Sequence, residues 1–166
     1  MRTITVNTLS EEAFAKYGSF MNLLDNEAMK KKSIFSSGFF ADLISLDFSD
    51  GTLPTISVCD VHKKEKNIVD FLEAHTSTCE GLLPLDGDVV IFAGIPNQPF
   101  SAEDLEAFYV PAGTFIKLNP LIVHGTQYPV SEGEVHVVCM LPGRTFHNDM
   151  VSYRLTEEEQ AVVVME

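Results

Sequence analysis

One stretch, residues 73–93, limits the fold more than any other. It opens Glu73-Ala74-His75-Thr76-Ser77-Thr78-Cys79-Glu80, turns at Pro84-Leu85-Asp86-Gly87, and enters the run Asp88-Val89-Val90-Ile91-Phe92-Ala93. Pro, Asp and Gly in succession specify a turn. A β-branched and aromatic run directly after it specifies a strand inside a sheet rather than at its surface. If Glu73 and His75 lie on a strand, their side chains point to the same face, because the strand period is two. Glu73, His75 and Glu80 are three groups able to ligate a metal, placed just ahead of a central strand.

The remaining chain repeats this style of short runs and turns. Residues 3–6 alternate as a strand. Ser10 can cap a short helix carrying Ala13, Phe14 and Tyr17, and Gly18 ends it. Residues 25–32 form a turn of helix or a mobile loop. From Ser33 come short apolar pieces, Ile34-Phe35, Phe39-Phe40, Leu43-Ile44 and Leu46-Asp47-Phe48, followed by a turn at Ser49-Asp50-Gly51. Phe35, Phe39 and Phe40 are read as barrel core. Strands are expected at residues 55–59, 107–110, 115–118, 121–124 and 136–140, with the end of 68–75 as another. Ser101 can cap a helical turn over 102–105. Val162-Val163-Val164 prefers a strand and either folds back onto an open sheet edge or crosses to a second subunit. Many short strands, frequent Gly and Pro turns and little helix indicate an all-β sandwich or barrel. The expected organisation is a single domain over 1–166: an N-terminal strand, helix and linker (1–32), a barrel core (33–142) and a C-terminal tail (143–166).

Composition narrows the function. The 166 residues carry a net charge of −13. Nucleic-acid binding needs clustered Lys and Arg, and Lys30-Lys31-Lys32 is too short a cluster against that balance, so no nucleic acid is expected. No run approaches the roughly 18 apolar residues of a membrane helix, and the N-terminus lacks a secretory apolar stretch. No membrane association and a cytoplasmic location are the expectations. Cys59, Cys79 and Cys139 stand far apart without a CxxC pair, which argues against a disulfide scaffold or a zinc ribbon and for buried free thiols. No Gly-rich nucleotide motif is present.

With these residues in view, the chain resembles known proteins. Glu73 and His75, then Glu80 and Gly87, are similar to the first cupin motif, with Glu in place of its first His. His124 matches the His that ends the second motif. Leu72-Glu73-Ala74-His75, Glu80, Leu83-Pro84-Leu85-Asp86-Gly87 and Val89-Val90 more closely resemble the centre of the ureidoglycolate lyase family of the cupin superfamily. The opening Leu9-Ser10-Glu11-Glu12-Ala13-Phe14-Ala15-Lys16-Tyr17-Gly18 and the strands 107–110 and 115–118 resemble it too. The resemblance implies a cupin-like double-stranded β-helix barrel, commonly a homodimer, that splits ureidoglycolate into glyoxylate and urea in allantoin and purine breakdown. Two positions depart from the family pattern: Val123-His124-Gly125 stands where Trp-His-His is usual, and Cys139-Met140 where Asp-Arg is usual.

The site implied by this reading is Glu73, His75, Glu80 and His124, as catalytic groups and as ligands of one divalent ion: Mn, Fe, Ni or Zn. Lys117 and Arg144 are the candidates for holding a substrate carboxylate. His136, alternating with Val138, could point into the barrel as a further or replacement ligand. Three functions compete: a lyase acting on ureidoglycolate or a related small 2-hydroxy acid, a cupin that binds or isomerises a sugar or small carboxylate, and a structural dimer with a degenerate site.

Overall fold

The computed structural model describes residues 1–48, 53–96 and 99–165. The expected turn at Ser49-Asp50-Gly51 lies outside them. In chain order the elements are β1 (Arg2–Thr8), α1 (Glu11–Phe14), β2 (Gly18–Asn22), α2 (Asn26–Lys32), β3 (Pro54–His62), β4 (Asn67–Val69), β5 (Phe71–Ala74) and β6 (Glu80–Pro84). There follow β7 (Val89–Ala93), β8 (Glu106–Val110), β9 (Thr114–Leu118), β10 (Tyr128–Pro129), β11 (Glu134–Pro142), α3 (Thr145–Asn148), β12 (Val151–Arg154) and β13 (Ala161–Val164). A six-stranded sheet runs β10-β7-β8-β1-β13-β4, a five-stranded sheet runs β2-β9-β6-β11-β3, and β12 pairs with β5. Together they form a mixed sheet nearly closed into a barrel, with only short peripheral helices, as in a cupin double-stranded β-helix.

β7 shows why the apolar run is there. Val89, Ile91 and Ala93 enter the barrel core with Phe14, Leu82, Phe108, Ile116, Leu118 and Val137. Val90 and Phe92 point the other way, into a second cluster with Ile4, Val69, Leu72, Tyr128 and Val163. A strand covered on both faces has no polar side, so it reads as an uninterrupted apolar run. β11 has one buried face instead, and alternates accordingly: Val135, Val137, Cys139 and Leu141 are buried while His136, Val138 and Met140 are half-buried.

The helices follow their caps. Ser10 Oγ accepts from Ala13 N at 3.2 Å and starts α1. Asp25 Oδ1 accepts from Ala28 N at 3.0 Å and starts α2, with Lys30, Lys31 and Lys32 at its C-terminal end, where the helix dipole favours cations. Gly18 begins β2 rather than closing a helix, and a side chain there would collide with the Lys117 carbonyl. The Ser101 cap yields only a turn: Ser101 Oγ accepts from Glu103 N, and no helix follows.

One region departs from expectation. Residues 33–47 form no strand and lie as a strap along the outer side of the five-stranded sheet. Leu43, Ile44 and Leu46 line a cavity of about 340 Å³ there with Phe115 and Met140. Phe35 and Phe39 are not barrel core: they are 46% and 65% exposed and touch each other. After β1 and β2, the next strand begins only at Pro54, beyond the strap. At the other end, β13 pairs in parallel with β1 and antiparallel with β4 within the same chain. The tail therefore closes the sheet itself.

Candidate metal centre

The site is assembled where β5, β6 and the segment before Gly125 meet. Glu80 opens β6, and it shares a face with Leu82, so alternation directs it into the barrel beside the apolar core. Glu73 lies in β5, and its backbone exchanges two hydrogen bonds with His124, each 2.9 Å. His75 sits one residue past the end of β5. Its carbonyl accepts a 2.6 Å bond from Leu121 N, and Leu121 takes a left-handed φ of 69°. Backbone strain of this kind is characteristic of functional sites. Gly125 follows His124 because a side chain there would run into the Phe92 ring and the Phe71 carbonyl.

The side chains converge in a buried interior. His75, Glu80 and His124 are 2%, 5% and 3% exposed. One nitrogen of each imidazole is committed: His75 Nδ1 donates to the Asp149 carbonyl and His124 Nδ1 to the Ile122 carbonyl, both at 2.8 Å. Each ring therefore turns Nε2 inward. His124 Nε2 lies 2.6 Å and His75 Nε2 3.3 Å from Glu80 Oε2. None of these three atoms has a partner with hydrogen-bond geometry. Three converging, buried and unsatisfied ligand atoms, all within 4.8 Å of one another, fit a divalent ion. Glu73 lies outside that group and at its rim, Oε1 3.8 Å from His124 Nε2, with its side chain 18% exposed.

The electrostatics are those of a tightly coupled set. Burial works against the His124 cation, but the carboxylates of Glu80 and Glu73 outweigh it and push the imidazole up to about 9. Burial likewise opposes the Glu80 carboxylate, and the two imidazoles hold it down at about 2. His75 is raised in the same way, burial being overcome by Glu80. Glu73 is raised by burial, with His124 pulling the other way.

The structure places the remaining candidates elsewhere. Lys117 sits between Ile116 and Leu118, which both point into the barrel core, so alternation puts it on the opposite face, opposite Gly81 rather than Glu80. Arg144 is an exposed residue with φ 69° at the N-terminal end of α3. His136 does not enter the barrel: it is on the outer face of β11, where its Nδ1 pairs with Asp86 Oδ2 at 2.6 Å. With Asp60 and Glu134 it forms a second group whose ligand atoms could hold an ion, but those two are exposed and His136 is half-buried. Cys79 is fully buried, and burial pushes its thiol up, which opposes nucleophilic use.

Two contributors had no signal in the sequence. Asp149 binds the turn after His75 through four bonds: Oδ1 accepts from Thr76 N (2.7 Å) and Oγ1 (2.6 Å), Oδ2 from Ser77 N (2.9 Å) and Oγ (2.8 Å). Phe146 stands edge-on to His75, ring centroids 6.1 Å apart. Both belong to the segment that opens with α3, whose mixed pattern points nowhere in particular.

A family model described as ureidoglycolate lyase matches residues 1–162. The chain belongs to the ureidoglycolate lyase family. Its barrel carries the buried His75, Glu80 and His124 cluster, whose ligand atoms could hold a divalent metal ion. No curated protein matches its sequence. Solved structures similar to it include Fe(II)-HppE with the alternative substrate (S)-1-HPP, at 13% identity and a TM-score of 0.39 over 53% of this chain and 42% of that one. A structure concerned with the Mn(II) centers of Bacillus subtilis oxalate decarboxylase is similar at 12% identity and a TM-score of 0.44, over 63% of this chain and 24% of that one. A Lactobacillus farciminis oxalate decarboxylase formate complex gives 12%, 0.43, 61% and 27% for the same quantities. The chain thus spans less than half the length of each of these proteins.

Proposed function

We propose that this chain cleaves ureidoglycolate, or a closely related small 2-hydroxy acid, to glyoxylate and urea at the His75, Glu80 and His124 centre. The observation that carries this reading is the convergence of two Nε2 atoms and one carboxylate oxygen, buried and unsatisfied, in a ureidoglycolate-lyase-family barrel. His75, His124 and Glu80 would hold a divalent ion, with Glu73 at the rim as the fourth group of the site. Bound there, such an ion would supply Lewis acidity toward a substrate hydroxyl.

Glu73 is the residue placed to handle the proton. It is close enough to His124 to face the same space, and burial raises its proton affinity. It takes the hydroxyl proton as the carbon–oxygen double bond of glyoxylate forms and the carbon–nitrogen bond breaks, and it returns that proton to the departing urea nitrogen. The apolar barrel core, Leu82 on the same face as Glu80 among it, borders the site on its inner side. Exposed Ile56 and Val58 on the edge strand β3 suit an interface with a second copy, and sedimentation of the purified chain tests the homodimer.

A second reading, a cupin that binds or isomerises a sugar or small carboxylate, is favoured by one observation. Of the two cations nominated for the substrate carboxylate, Lys117 is on the other face of its strand and Arg144 is exposed. Glyoxylate release from ureidoglycolate decides between them, run on metal-free protein and on protein supplied with Mn, Fe, Ni or Zn, beside His124→Ala. Metal-dependent release that His124→Ala abolishes supports the lyase. Metal binding without glyoxylate release supports the second reading.

A further inference from the structure

His124 and His75 receive their Nδ1 partners in different ways. His124 donates to the carbonyl of Ile122, a neighbour that its own local backbone supplies. His75 donates to a carbonyl that comes from Asp149, 74 residues further along the chain. That acceptor is in place only if the 145–149 segment is docked against the turn after His75. The docking has an identifiable cause. The Asp149 carboxylate accepts from the backbone and hydroxyl of both Thr76 and Ser77, four bonds of 2.6–2.9 Å. At the other end the segment is tied by Thr145 Oγ1, which donates to the Pro142 carbonyl at 2.6 Å, and by Asp149 N, which donates to the Thr145 carbonyl at 2.8 Å.

We propose that Asp149 is the positioning residue of this centre: its carboxylate docks the 145–149 segment on the Thr76-Ser77 turn, and its own carbonyl thereby fixes the ring of His75 with Nε2 facing Glu80. A neutral imidazole has one N–H. Holding it on Nδ1 leaves the Nε2 lone pair for a ligand, and it locks the ring plane. The same docking sets Phe146 against His75, so one carboxylate organises both a candidate ligand and an apolar wall beside it. Asp149 touches none of the ligand atoms that converge on the centre. It acts through His75.

The metal half of this inference rests on the reading of the site as a metal centre; the imidazole half does not. The test therefore reads both. In metal-free protein, the slowly exchanging Nδ1–H proton of His75 is followed by proton NMR, assigned by its loss in His75→Asn. The corresponding His124 proton is the internal control. Co(II) affinity is measured separately by visible absorption titration. Asp149→Ala is expected to lose the His75 resonance, keep that of His124, and bind Co(II) roughly 10–100-fold more weakly. Asp149→Asn, nearly isosteric, keeps an oxygen for Thr76 but turns an N–H₂ group onto the Ser77 donors. It is expected to fall between wild type and Asp149→Ala, and it decides the matter if Asp149→Ala does not fold. An unchanged His75 resonance with unchanged Co(II) affinity in the folded variants overturns the proposal. A wild type that binds no Co(II), with the His75 resonance still lost in the variants, removes the metal reading and upholds the positioning role.

Discussion

At the scale of single residues, the site is governed by competition between protons and a metal for the same lone pairs. Without metal, His124 has a folded value near 9 against an ordinary 6.5, so its contribution to stability is complete below about 6.5 and is lost as pH rises through about 9. Glu80 has a folded value near 2 against 4.5, so its contribution is complete above about 4.5 and is lost as pH falls through about 2. Metal-free protein should therefore show its highest melting temperature from this pair between about pH 4.5 and 6.5. Metal binding requires neutral imidazoles, so the rise in melting temperature on adding Zn(II) or Mn(II) should grow from pH 6.5 towards 9. Differential scanning fluorimetry across this range, with and without metal, checks both trends. His124→Ala should abolish the metal-induced rise. In metal-free protein it should also cost about 3–5 kcal/mol in urea unfolding near pH 6, because Glu80 is left as a buried carboxylate with one partner fewer.

At the scale of elements, the difference between β7 and the 33–47 strap is the lesson about sequence. Both contain Phe and Ile in close succession. In β7 the run is continuous and follows a defined turn, and burial on both faces is the outcome. In the strap the apolar pairs are interrupted by Gly and Ser, with no alternation that a sheet could use. Composition there suggested core, while periodicity gave no strand. Phe92→Ala should cost about 3–5 kcal/mol in urea unfolding, the usual penalty for emptying a packed aromatic site. Phe39→Ser should shift stability by no more than about 0.5 kcal/mol. The same contrast holds within the site. His75 and Glu80 of the buried cluster were legible because they are close in sequence, and His124 because a motif ends on it, while Glu73 falls outside that cluster. Asp149 was not, since a lone Asp beyond the last long strand acquires meaning only when the chain folds back to the Thr76-Ser77 turn. Lys117 shows a simpler limit: a position on a suitable strand does not settle which face a side chain takes, and the register sets Lys117 opposite Gly81.

At the scale of the whole molecule, the barrel wall is completed by strands that are remote in sequence. β1 is hydrogen-bonded to β8 on one side and β13 on the other, both in parallel. β4 has β13 as its partner in the sheet order. Removing residues 161–165 should leave Ile4 and Val69 uncovered and abolish cooperative unfolding, as followed by circular dichroism in urea. Topology of this kind also sets a timetable for biosynthesis. A ribosome releases β1 early, yet its second neighbour emerges only when nearly all the other strands have left the exit tunnel. Until then the nascent chain presents an unpaired strand and half of an apolar cluster to its surroundings. The period of greatest exposure to aggregation and to chaperones therefore coincides with translation itself, and it ends with the arrival of one short Val-rich strand.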